Sequence, residues 1–350
     1  MRQMGNRRNY PTVSLFAMTN LIYVDDDLPG ITRKGAGKGW AYYSAEGDLI
    51  RDPAEKKRLN AIALPPAYVD AWFCPAPNGH ILATGIDAKG RKQYRYHPEF
   101  RAARESEKFD ACLAFGKLLP LVRKRVDDDL RGRKLTQERA VASVIRLLDL
   151  GAIRVGNEGY AQRNKSFGAT TLRQRHAEVT GRTLKLKYRG KSGKVQEVTL
   201  TDSSLARMVR NMQDLPGQHV FKYIDDDGDI HSVGSSDVNE YLEQAMGERF
   251  TAKNFRTWHG SVLALDTLRS GQGIIPMKAL LDTVAGHLGN TPAVTRRSYI
   301  HPAVIDLVDR QEEWRTGLKC PRASKWLTSE ERLLTSFLEQ APKASQLLAA

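Results

Sequence analysis

Over residues 31–96 the apolar positions come in short clusters broken by Gly and Pro, and no 3.6-residue period is sustained. Short segments at residues 40–43 and 80–84 have the character of strands. The pattern predicts a small β-rich domain over residues 22–103. From about Phe100 the pattern turns helical. Residues 108–124 and 137–150 place apolar side chains at i, i+3, i+4 and i+7, and the second run stops at Gly151. A larger, mainly α part is therefore expected over residues 104–350, with the boundary near 97–107.

One segment interrupts the helical period. Leu184-Lys185-Leu186-Lys187-Tyr188 alternates, Arg189-Gly190-Lys191-Ser192-Gly193-Lys194 supplies turn residues, and residues 195–200 resume an extended pattern. Together they predict a β-hairpin at 183–200 with Lys191 at its tip. Helical pattern returns at 237–246, 252–268 and 277–288, the last closed by Gly289. Thr291-Pro292 then reads as an N-cap followed by Pro at the first helical position, which predicts a short helix through 293–299. A last helical pattern at 329–338 predicts a closing helix. Residues 1–21 are basic, carry no acid, and read as a loose arm, with Met18 as an alternative start.

The composition is that of a folded protein: 41% of the 350 residues are apolar and 27% charged. No run of about 18 apolar residues is present, which excludes a membrane-spanning helix. Cys74, Cys112 and Cys320 are far apart and odd in number, so disulfide and zinc frameworks drop out and a reducing compartment is expected. The charge changes the picture more. Lys and Arg total 54 against 40 Asp and Glu, a net charge of +14 whose self-repulsion points to a polyanionic partner, nucleic acid or anionic membrane.

Several familiar motifs fail. Gly190-Lys191-Ser192 and Gly35–Gly39 lack the glycine spacing of a phosphate-binding loop. Acidic triplets at 25–27, 127–129 and 225–227 read as solvated turns, not metal sites, because the glycine after the last one falls at the wrong offset for a calcium loop. No metal or other cofactor is expected.

What remains is a set of cations and a tyrosine at the edges of elements. Arg154 follows the helix ending at Gly151. Lys253 and Arg256 are three apart near the positive end of a helix, a good place for a phosphate. Tyr299 lies on a short helix beside Arg296 and Arg297. Residues 80–302 as a run resemble the type IB DNA topoisomerases, in their short bacterial and poxvirus form. The resemblance is carried in order by His80-Ile81-Leu82-Ala83-Thr84-Gly85-Ile86-Asp87, by Gly90-Arg91-Lys92-Gln93-Tyr94-Arg95-Tyr96-His97, and by Ile153-Arg154-Val155-Gly156-Asn157-Glu158. It continues through Ser166-Phe167-Gly168-Ala169-Thr170-Thr171-Leu172-Arg173, Tyr188–Lys194, Ser235-Ser236-Asp237-Val238-Asn239, and the segments around Arg256 and Tyr299.

The resemblance implies an α+β fold of the tyrosine recombinase and type IB topoisomerase kind, its β-rich and α-helical domains clamping duplex DNA. It implies relaxation of supercoils by single-strand cleavage through a 3′-phosphotyrosine, strand rotation and religation. Tyr299 matches the nucleophile, Arg154 and Arg256 the catalytic arginines, and Lys191 the hairpin lysine. The fifth position, nine residues before the tyrosine and commonly His in the family, is Asn290 here. The DNA contacts expected are Arg91, Lys92, Gln93, Tyr94 and Tyr96 in the β domain, with Asn157, Tyr160 and Lys253 in the helical one. A monomer acting on supercoiled double-stranded DNA in the cytoplasm, at the nucleoid, is expected. Two other classes share parts of the pattern. A tyrosine recombinase has the same Arg, Lys, Arg and Tyr chemistry but His where this chain has Lys253, and a non-enzymatic basic DNA-binding protein needs neither Tyr299 nor Lys191.

The residue types suit the chemistry. A tyrosine oxygen keeps the phosphodiester energy in a covalent bond, so no ATP is required. Its ordinary pKa of about 10 calls for a positive field, which Arg154 and Arg256 can supply while their planar forks fit phosphate oxygens. The leaving 5′-oxygen needs a general acid, for which Lys191 is the candidate, with Arg154 as a second.

Overall fold

The computed structural model describes residues 20–37, 39–319 and 321–349. They divide into two units between Ser106 and Glu107. Of the expected N-terminal arm, residues 1–19 lie outside the described residues, as does Cys320.

The first unit is built on a five-stranded antiparallel sheet in the order β2-β1-β3-β4-β5. Its strands are β1 (Ile31–Ala36), β2 (Gly39–Tyr43), β3 (Val69–Phe73), β4 (Ile81–Ile86) and β5 (Lys92–Tyr96). The core is small: Ile31, Tyr42, Leu59, Leu64, Phe73 and Ala83 are buried together. Arg33 closes one side by donating to the carbonyls of Leu64 and Pro65 at 2.8 and 2.6 Å, with its guanidinium 4.0 Å from the Trp40 ring centre. Between β2 and β3 lies a helix the apolar pattern does not announce, α1 (Pro53–Ala61). Only Leu59 of its residues is buried, so no apolar stripe exists to be read. Its start is nevertheless written locally, since Asp52 caps the amides of Ala54 and Glu55 and Pro53 takes the first position.

A 33-residue helix, α2 (Pro98–Leu130), crosses from the first unit into the second. The second unit continues with α3 (Gln137–Gly151), α4 (Glu158–Asn164), β6 (Ala177–Thr180), β7 (Thr183–Arg189), β8 (Val195–Thr201) and α5 (Ser203–Gln213). It ends with β9 (Lys222–Ile224), β10 (Ile230–Ser232), α6 (Ser235–Met246), α7 (Ala252–Ser270), α8 (Met277–Leu288), α9 (Pro292–Tyr299), α10 (Pro302–Asp306), α11 (Gln311–Thr316), α12 (Ser329–Gln340) and α13 (Ala344–Ala349). Strands β7 and β8 form the expected hairpin, with β6 completing a three-stranded sheet and Lys191 on the connecting turn.

Helix α7 runs through the core. Phe255 and Trp258 are fully buried, and Phe115 of α2 meets both rings edge-on. Gly116 lets Trp258 in, because a Cβ there would stand 2.2 Å from the indole. Beneath α7 lies a buried ionic knot. Arg123 of α2 donates to Asp149 of α3 at 2.8 and 2.9 Å and to Glu331 of α12 at 2.7 Å twice, while the Trp258 indole donates to Glu331 at 3.1 Å. Burial pushes both carboxyls up, but the bonds they accept outweigh it and hold them below the usual range.

The middle acidic triplet is not a solvated turn. Asp127, Asp128 and Asp129 lie within the last turn of α2, where Asp127 pairs with Arg146 and Asp129 accepts from the Tyr241 hydroxyl at 2.5 Å. The first and third triplets do sit at turns.

Candidate active site

Arg256 is the fixed point of the site. It is buried on α7, its Nη1 donating to the Ala152 carbonyl and its Nη2 to that of Leu288 at 2.7 Å. Ala152 is the left-handed C-cap of α3 and Leu288 the last residue of α8, so the guanidinium joins the negative ends of two helices. Its Nε is buried without a partner. Lys253 does not share this environment. It is exposed on the first turn of α7 while Arg256 points into the core, so the shared face expected from their spacing is absent.

Arg154 follows α3 on a non-helical segment clasped by the short helical turn Ala169–Thr171. The Ala169 amide donates to Arg154 O at 2.8 Å and the Thr170 amide to Val155 O at 2.7 Å. Gly168 makes the clasp possible, since a Cβ there would stand 2.5 Å from Arg154 O and 2.6 Å from Gly156 N. The Arg154 guanidinium donates through Nη2 to Asn290 Oδ1. With that oxygen occupied, Asn290 presents its amide nitrogen, which is buried and without a partner.

Tyr299 ends α9, whose start is capped by Thr291 as the sequence predicts. Two small residues of α7 receive its C-terminal turn: Gly260, where a Cβ would stand 2.4 Å from Tyr299 O, and Ser261, whose hydroxyl accepts the His301 amide at 2.9 Å. The Arg256 guanidinium lies 4.9 Å from the Tyr299 ring centre. Burial pushes the phenol up, but the charge of Arg256, with those of Arg154 and Lys191 behind it, brings it below the ordinary tyrosine value. Tyr188 of β7 gives the contrast. It feels the same two arginines, yet burial prevails and its hydroxyl is pushed up to about 12.

Lys191 sits exposed on the hairpin turn, where Ser192 and Gly193 adopt positive φ and the Gly190 amide closes the loop on Lys194 O at 2.8 Å. A cleft of about 390 Å³ is lined by Lys191, Arg154, Arg256 and Asn290, together with Tyr188, Lys194 and Gln196, which the sequence reading passed over. Tyr188 and Lys194 bound the segment that carries the resemblance, whereas the only local signal for Gln196 is the alternation of the hairpin, which places it opposite Tyr188.

The expected DNA contacts fall in both units. In the first, Arg91 and Gln93 are held by Asp87, at 2.7 and 2.9 Å, and Lys92 pairs with Asp26 at 2.8 Å. Tyr94 and Tyr96 are both exposed and stack with ring centres 5.7 Å apart, continuing into Phe100. In the second, Tyr160 is 51% exposed, whereas Asn157 spends its side-chain oxygen capping α4 through the Tyr160 amide at 3.1 Å. Among the described residues one acidic group is tight enough to suggest a cation, Asp25 to Asp27, and Lys92 already lies against it. No helix among the described residues is long and apolar enough to cross a membrane.

Both units match families of known proteins. Residues 97–314 match the family described as the catalytic core of eukaryotic DNA topoisomerase I, and residues 39–87 match the N-terminal domain of bacterial DNA topoisomerase IB. The chain is 29% identical over 301 residues to DNA topoisomerase 1B of Acanthamoeba polyphaga mimivirus, covering 82% of this chain and 90% of the relative. It is 23% identical over 247 residues to DNA topoisomerase 1 of rabbit fibroma virus, covering 67% and 74%, and 20% identical over 232 residues to DNA topoisomerase 1B of vaccinia virus, covering 65% and 72%.

Proposed function

The chain belongs to the DNA topoisomerase I family and is a type IB DNA topoisomerase, and from that premise we propose that Tyr299 is its nucleophile. Tyr299, ionised in the field of Arg256 and Arg154, attacks the scissile phosphorus through its phenolate oxygen, the bond to the 5′-oxygen breaks, and the 3′-phosphate stays on the enzyme as a phosphotyrosine. Lys191 gives the departing 5′-oxygen its proton. The free 5′-hydroxyl end then rotates under torsion and attacks the phosphotyrosine in the reverse step, which returns the proton to Lys191 and frees Tyr299. Bond energy is conserved throughout, so ATP has no step to drive.

Arg154, Arg256 and Asn290 are proposed to hold the non-bridging oxygens as charge builds in the transition state, each preorganised donor contributing on the order of 2.7–4 kcal/mol. One observation supports this assignment above the others: Arg256 Nε and Asn290 Nδ2, both buried in this site, have no partner. Buried donors left unpaired cost about 1–3 kcal/mol each, a cost recovered when an anion enters. Asn290 acts as a neutral donor, and nothing in this scheme needs an imidazole in its place.

The substrate proposed is duplex DNA, supercoiled in preference to relaxed, because torsion drives the rotation. One copy of the chain carries Arg154, Lys191, Arg256, Asn290 and Tyr299, so a monomer at the nucleoid suffices. Tyr94, Tyr96, Tyr160 and Lys253 are proposed as contacts to the duplex, and Arg91, Lys92 and Gln93 as contacts made by exchanging acidic partners for phosphates. The test is covalent trapping on a labelled duplex. The wild-type chain should yield a 3′-linked adduct and Tyr299→Phe none, with DNA affinity unchanged; an adduct in Tyr299→Phe would remove Tyr299 from its role.

A further inference from the structure

Gln196 lies opposite Tyr188 in the β7–β8 register, so the two side chains share the hairpin face that borders the cleft. Two glycines meet its side chain. A Cβ on Gly190 would stand 2.9 Å from Gln196 Cγ, and one on Gly289 would stand 2.5 Å from Oε1 and 3.1 Å from Nε2. Gly190 immediately precedes Lys191, and Gly289 immediately precedes Asn290. The stem of Gln196 thus rests on the strand that delivers the lysine, and its amide rests on the corner that delivers the asparagine. The amide is steadied by a bond from Nε2 to Val195 O at 3.3 Å.

The hairpin needs such a contact. On one side its end is tied to the segment before Gly168, by the Phe167 amide on Arg189 O at 2.8 Å and the Ser166 hydroxyl on Gly190 O at 3.1 Å. Those bonds fix the hairpin relative to Arg154. They leave its distance from the α8–α9 corner to be set by packing, and Gln196 is a hairpin side chain whose amide lies against Gly289 at that corner.

We propose that Gln196 is a positioning residue that braces the Lys191 hairpin against Gly289 and Asn290, and so sets the reach of Lys191 toward the leaving oxygen. This rests on the role assigned to Lys191 above. Gln196 transfers no proton itself; it acts through the placement of the lysine, and Gly190 and Gly289 leave room for the brace at their α-carbons, Gly289 also serving as the left-handed cap of α8.

The test is single-turnover cleavage by Gln196→Ala, Lys191→Ala and the double variant, on an ordinary duplex and on one whose scissile 5′-bridging oxygen is sulfur, a leaving group that needs no proton. Gln196→Ala should cleave the ordinary duplex roughly 10- to 100-fold more slowly, the scale of an ångström-level misplacement. It should recover on the sulfur substrate, and DNA affinity and melting temperature should not change. The double variant should be no slower than Lys191→Ala. Gly190→Ala should also slow cleavage, by crowding Gln196, and should slow it less in the Gln196→Ala background. Wild-type cleavage by Gln196→Ala overturns the proposal. So does a double variant slower by the product of the two single effects, or a Gln196→Ala defect that persists on the sulfur substrate while that of Lys191→Ala is rescued; either leaves the lysine's role standing. If Lys191→Ala itself cleaves the ordinary duplex at the wild-type rate, the role of the lysine fails first and the brace falls with it.

Discussion

Replacing Gly260 with Ala should slow DNA cleavage out of proportion to its effect on stability. The new Cβ would stand 2.4 Å from the Tyr299 carbonyl oxygen, 3.2 Å from the carbonyl carbon and 3.3 Å from Leu288 Cδ1. Comfortable contacts begin at about 3.5 Å, so something must yield by about 1 Å. Helix α7 will not, because Phe255, Arg256 and Trp258 anchor it in the core. Helix α9 has eight residues, of which only Thr295 is buried, so α9 should move and carry Tyr299 away from Arg256. A displacement of about 1 Å at a reacting group costs on the order of 10²-fold in rate. Overpacking costs about 1–3 kcal/mol, and the better helix propensity of Ala returns about 1, leaving a net destabilisation of about 0–2 kcal/mol. The assay is adduct formation in a single turnover on a duplex whose cleaved fragment dissociates, run well below the melting temperature and alongside DNA binding. A folded Gly260→Ala protein that binds DNA and cleaves it as fast as wild type would refute the reasoning.

Cleavage should rise with pH and level off below the ordinary tyrosine value of about 10, because the neighbouring arginines lower the Tyr299 phenol and the phenolate is the attacking form; Arg154→Ala should move the plateau to higher pH, and Tyr188→Phe should leave it in place. Arg123→Ala should strip Asp149 and Glu331 of their shared partner and cost about 3–5 kcal/mol, read as a lower denaturation midpoint. Both carboxyls lie below their unfolded values of about 4, so their contribution is full above that pH and lost as the pH falls through the folded values. The difference in midpoint between wild type and Arg123→Ala should therefore narrow on acidification.

The elements readable from sequence are those whose boundaries are set within a few residues. Gly289 ends α8 in a left-handed cap, and Thr291 with Pro292 starts α9, so the helix carrying Tyr299 could be placed from local chemistry. Helix α1 could not, because it buries one residue and has no stripe. The triplet at 127–129 misled for the opposite reason: a run of Asp reads as a turn until Arg146 and Tyr241, distant in sequence, supply partners that let it finish a helix.

The site divides along the same line. Arg154, Lys191, Arg256 and Tyr299 stand in recognisable words, and the His80 word has a structural reason in the stacking of that ring on Tyr23 at 3.9 Å and its acceptance of the Val24 amide. The burial of Arg256 beside an exposed Lys253 was not legible, because helical spacing gives direction around an axis and not the depth of what packs there. Gln196 was less legible still. Its significance depends on the approach of residues 190 and 289 to one side chain, which only the folded chain brings about.

The most direct test of the central claim is relaxation of negatively supercoiled plasmid in the presence of EDTA and the absence of ATP, with wild type beside Tyr299→Phe. The account predicts relaxation by wild type through a ladder of intermediate topoisomers, and a plasmid left supercoiled by Tyr299→Phe. Relaxation by Tyr299→Phe, or a wild-type chain that binds the plasmid and leaves it supercoiled, would contradict it.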